Sequence, residues 1–87
     1  MTEQTFRLLD DKSSATTLVF WVKNEADAND PSFINAMLLQ TMRGPERTRI
    51  PVLFSLALSN PRTNTTFGAF PSPEGGWELH IRCESPG

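Results

Sequence analysis

The stretch Trp77-Glu78-Leu79-His80-Ile81-Arg82-Cys83-Glu84 alternates apolar and polar residues without a break. Successive side chains of a β-strand project to opposite faces. The pattern therefore predicts a strand that turns Trp77, Leu79, Ile81 and Cys83 toward a core and Glu78, His80, Arg82 and Glu84 away from it. The rest of the chain must supply strands to pair with this one and cover for its apolar side.

Upstream, residues 71–76 combine Pro, Ser and Gly as a turn does, and Thr65 to Phe70 reads as a strand weakened by Gly68. Residues 51–59 alternate as well. Val52, Phe54, Leu56 and Leu58 oppose Leu53, Ser55, Ala57 and Ser59. Helix competes there because Pro51 suits a helix start, but the period of two favours a strand. Residues 16–23 hold five consecutive apolar residues, Leu18 to Val22, as expected of a central strand covered on both sides. Residues 4–9 add a short strand, with Phe6 and Leu8 opposite Arg7 and Leu9.

Between these strands lies the clearest helix signal. Asp30 can accept hydrogen bonds from first-turn amides, and Pro31 fits the first helical position, where its missing N–H is not needed. Phe33, Ile34, Met37, Leu38 and Met42 recur at three- and four-residue spacing until Gly44-Pro45 stops the helix. The expected fold is α+β: a mainly antiparallel five-stranded sheet in the order β-β-α-β-β-β, with one helix packed on one face and residues 1–87 forming a single domain.

The composition is that of a folding chain, with 38% apolar and 21% charged residues. A net charge of −2 argues against indiscriminate binding to nucleic acid. Acidic residues concentrate in residues 1–30 and arginines in residues 43–87, so the two ends can meet electrostatically or face different partners. Cys83 is the sole cysteine, which excludes an internal disulfide. No stretch has the length or apolarity of a membrane span or secretory leader, so a cytoplasmic, non-membrane protein is expected.

Catalytic chemistry finds little footing. Nucleophilic catalysis needs a nucleophile, a base and a group that orients the base. On one strand, the odd spacing of His80 and Cys83 puts them on opposite faces. Glu78 and His80 share a face about 7 Å apart and could supply two metal ligands, but there is no further His or Cys cluster to complete a site. The acidic segment Glu25, Asp27, Asn29, Asp30 lacks the glycine and the terminal glutamate of a calcium loop. No phosphate-cradling glycine motif occurs. No enzyme activity, metal or cofactor is expected.

The sequence does show a surplus of apolar surface. One helix covers one face of a sheet, yet residues 18–22 are apolar on both, with Val19 and Trp21 opposite Leu18, Phe20 and Val22. Leu39 lies off the main helical stripe. Exposed apolar patches mark association sites. The expectation is a small protein-interaction domain acting stoichiometrically as an inhibitor, adaptor or immunity-type factor, a profile that suits a phage or mobile-element accessory protein. Its partner would be another protein or, in a homodimer, itself. The expected contact residues are Val19, Trp21, Leu39, Arg43, Arg47, Arg49, Glu78, His80 and Arg82. The alternative is a nucleic-acid binder using the arginines between Arg43 and Arg62 to hold phosphate.

Overall fold

The computed structural model describes residues 6–12, 14–57 and 64–84. Its sheet has four strands: β1 (Phe6–Asp11), β2 (Ala15–Val22), β3 (Asn64–Pro71) and β4 (Trp77–Glu84). All neighbours are antiparallel and the order is β1-β2-β4-β3, so β2 and β4 are central. Three α-helices accompany the sheet: α1 (Glu25–Ala28), α2 (Pro31–Arg43) and α3 (Val52–Ala57). A 3-10 helix, Pro45–Arg49, lies between the last two.

Local chemistry sets most of these boundaries. The Asp30 carboxylate accepts from the Ser32 amide at 3.0 Å, which caps α2 ahead of Pro31 as its sequence predicts. Segment 24–30 contains a short helix, because the Asn24 side chain accepts from the Asp27 amide and caps α1. The charged connection after Gly44 closes into the 3-10 helix.

The five-stranded, one-helix architecture is corrected at residues 52–57. This segment is helical, leaving four strands and three α-helices; residues 58 and 59, also expected in the strand, lie outside the described residues. A strand would put Val52 and Phe54 on the same face, yet Val52 is 75% exposed and Phe54 only 1%. Ile50, four residues before Phe54, is buried with it. The Ser55 amide bonds the Pro51 carbonyl at 3.1 Å, the i to i−4 bond of a first helical turn. Over so few residues, every-second-residue apolarity also contains the i, i+4 pair that a helix buries. Burial of Ile50 and Phe54 against the sheet decides between the two.

The helices cover a single face of the sheet. On that face Phe6, Leu18, Phe20, Val22, Leu79, Ile81 and Cys83 pack with Ala28 of α1, Ile34, Met37 and Leu38 of α2, and Ile50 and Phe54. Burial pushes the Cys83 thiol above its ordinary pKa, leaving it a packed apolar group. Among the described residues, no helix is long and apolar enough to cross a membrane.

The helical assignment makes a direct prediction. Phe54→Ala should lower the unfolding free energy by about 3–5 kcal/mol, whereas Val52→Ala should change it by less than about 0.5 kcal/mol. Urea denaturation of the two variants checks this, and equal losses would be the signature of a strand.

Candidate functional site

The second face of the sheet has no helix over it among the described residues. Its side chains follow from the register. Arg7, Val19, His80 and Gly68 form one cross-strand row. Asp10, Thr17, Arg82 and Thr66 form the next, and Trp21, Glu78 and Phe70 a third. A register shift between Leu8 and Asp10 inserts Leu9 as an extra residue in β1 and brings Asp10 opposite Thr17.

A polar ladder runs across these rows. Arg7 donates to both carboxylate oxygens of Glu78, at 3.2 and 3.3 Å, and His80 Nε2 lies 3.1 Å from Glu78 Oε1. Arg82 donates to Asp10 at 3.1 Å, to the Thr17 hydroxyl at 3.3 Å and to Glu84 at 3.0 Å. The Arg7 guanidinium, and after it His80, holds the Glu78 carboxyl below its ordinary pKa. Beneath the ladder Val19 is only 3% exposed, between Arg7 and His80 in its row.

Two aromatic residues stand at the rim, each held by a specific contact. The Trp21 indole N–H donates to the Gly75 carbonyl at 2.8 Å, and a Cβ on Gly76 would sit 2.5 Å from the indole. Gly75 and Gly76 also have φ of 95° and 76°, a region that favours glycine. The turn between β3 and β4 is thus built to receive the Trp21 ring. The Phe70 ring lies back over Gly68 and meets the His80 ring with centroids 4.5 Å apart. Gly68, expected only to weaken its strand, provides the space for that ring. A hollow of about 290 Å³ lies between Leu9, Asp10 and Thr17 on one side and Thr66, Phe67 and Phe70 on the other, with His80 and Arg82 between them.

The structure thus gathers Val19, Trp21, Glu78, His80 and Arg82 on one surface, with Val19 as its buried floor. The other expected contact residues lie elsewhere. Leu39 and Arg43 border a separate hollow along α2. Arg47 is exposed on the 3-10 helix. Arg49 donates to Glu46 at 2.6 Å and to the Phe6 carbonyl at 3.3 Å, and its guanidinium stands 4.8 Å from the Phe6 ring centre, so it fastens the 3-10 helix to β1. Arg62 lies outside the described residues. Arg7, Asp10 and Phe70 belong to the open face but were missed in the sequence, because only the register and the β1 bulge show which residues they oppose.

The open face pairs its charges with one another. Glu78 accepts from Arg7 on both oxygens, and Cys83 is buried on the opposite face. Among the described residues, no group of three His, Cys, Asp or Glu side chains is placed to hold a metal ion. Comparison of the chain with protein-family models, curated proteins and solved structures returned no match.

Two expectations follow. A glutamate whose folded pKa lies below its unfolded value contributes stability that is present above the ordinary glutamate pKa. That stability is lost as pH falls through the lowered folded value. Denaturation midpoints measured down through this interval should fall less steeply for Glu78→Gln than for wild type. Separately, Gly76→Ala should destabilise the protein by at least about 1–2 kcal/mol from its left-handed backbone and should also displace the indole. A lower thermal midpoint with altered tryptophan fluorescence checks both effects.

Proposed function

We propose that this chain is a non-enzymatic interaction domain that binds another protein through the open face of its sheet, acting by stoichiometric contact as an inhibitor, adaptor or immunity-type factor does. The observation that carries this proposal is the concentration of three large apolar side chains around a fixed polar ladder. Leu9 is 54% exposed, Trp21 52% and Phe70 49%, all on this face. Protein contacts are anchored by a few large residues, with Trp and Arg prominent among them, inside a rim of satisfied polar groups.

Preorganisation supports the same proposal. Trp21 is pinned to Gly75 and Phe70 leans on His80, so neither ring needs to be ordered from a free rotor on contact. Both flank Glu78 in one cross-strand row, two interstrand spacings or about 10 Å apart. One element of a partner can span that distance. The ladder also suits recognition: Arg7, Glu78, Asp10 and Arg82 present charges of both signs that would select a partner of complementary pattern.

The test compares three forms of the tagged chain in affinity capture with quantitative mass spectrometry: wild type, the Trp21→Ala/Phe70→Ala double variant, and Leu39→Ala on α2. A partner should be retained by wild type and Leu39→Ala and depleted about tenfold or more with the double variant. Equal retention by all three forms would rule out the open face as the contact.

A further inference from the structure

We infer that the chain also self-associates, with β3 pairing antiparallel to β3 of a second copy so that two four-stranded sheets join across a two-fold axis. The inference uses the free edge of β3, which adjoins the open face at Thr66, Gly68 and Phe70, and it does not rest on the proposed function. β3 is an outer strand, and among the described residues no element pairs with its free edge. An unpaired strand edge presents a row of backbone donors and acceptors whose natural complement is another strand.

The two edges of the sheet are finished differently. β1 carries Arg7 and Asp10 and is broken by the bulge at Leu9, devices that discourage pairing. β3 keeps an unbroken register with β4 over all eight residues, and Asn64-Thr-Thr-Phe-Gly-Ala-Phe-Pro71 contains no charged residue. Two copies can therefore approach along it without like-charge repulsion. The core also stops one strand short there. In the row Leu8, Leu18, Ile81, Phe67, the central Leu18 and Ile81 are 0% exposed, while Leu8 at the β1 edge is 37% and Phe67 at the β3 edge 55% exposed.

A second copy answers that gap with its own residues. A two-fold axis centred on Gly68 sets Phe67 against Ala69 of the copy and Phe70 against Thr66 of the copy, each twice. Large side chains then meet small ones, and glycine sits where the two backbones come closest.

Sedimentation velocity from micromolar to millimolar concentration should show wild type passing from monomer to dimer, with amide hydrogen exchange in β3 slowing as the dimer forms. Phe67→Lys and Thr66→Lys each place a charge in the edge at an exposed position and should remain monomeric, with circular dichroism confirming the fold. Should Phe67→Lys fail to fold, Thr66→Lys still decides the outcome. A wild type monomeric throughout, a dimer that leaves β3 exchange unchanged, or dimers persisting in the folded lysine variants would overturn the inference. Trp21 lies on β2, two strands from the free edge of β3, so Trp21→Ala should still dimerise while weakening capture of the open-face partner, and the two associations can fail separately.

Discussion

The central pair β2 and β4 is matched over eight residues, and each row of that match places side chains in two different environments. Leu18 against Ile81 and Phe20 against Leu79 lie under the helices and are dry. Val19 against His80 and Thr17 against Arg82 lie on the other side, which no helix covers among the described residues. A slip of one residue would exchange the two sets and turn Arg82 and Glu78 into the core. Burial of an unpaired charge is far more costly than exposure of a leucine, so a one-residue slip is excluded. The helices, the ladder and the rim aromatics are all positioned relative to it.

Among the described residues, the open face protects an apolar floor without a second layer of secondary structure. Val19 is buried among the stems of longer neighbours, whose charged ends are held in place by one another. Long polar side chains can cover apolar surface in this way while their charges stay in water. Each exposed ion pair contributes little to stability. Their joint effect is to hold the side chains over Val19 in one arrangement. The same ladder fixes the surroundings of Trp21 and Phe70, so the exposed apolar area has a defined shape.

The imbalance visible in the chain is therefore resolved in part. Three α-helices, with Ile50 just after the 3-10 helix, bury the core face more fully than one helix could, and Val19 is covered beneath the ladder. Trp21 remains half exposed even though its N–H is satisfied, and Leu39 remains 47% exposed on the far side of α2. The apolar surface left over is smaller than the run Leu18 to Val22 suggested. It is concentrated at the rim of the open face, at β3 and along the outer side of the helices.

Strand β4, helix α2 and its Asp30 cap, the central place of β2 and the two-faced character of 77–84 were all legible in the sequence, because each depends on periodicity or on chemistry within a few residues. Residues 52–57 were not. Over six positions, helix and strand bury overlapping sets of apolar residues, and the choice was made by where Ile50 and Phe54 could reach the sheet. The candidate site was half legible. Glu78, His80 and Arg82 share a face by spacing alone, but Arg7, Asp10 and Phe70 join them only through pairing between strands far apart in the chain. Within β2, β4 and α2, sequence by itself determined which side chains share a face, since that is set by the geometry of one strand or helix. Tertiary structure alone decided which faces meet and which side chains complete the ladder, because strand order and register come from competition among distant segments for the same buried surface.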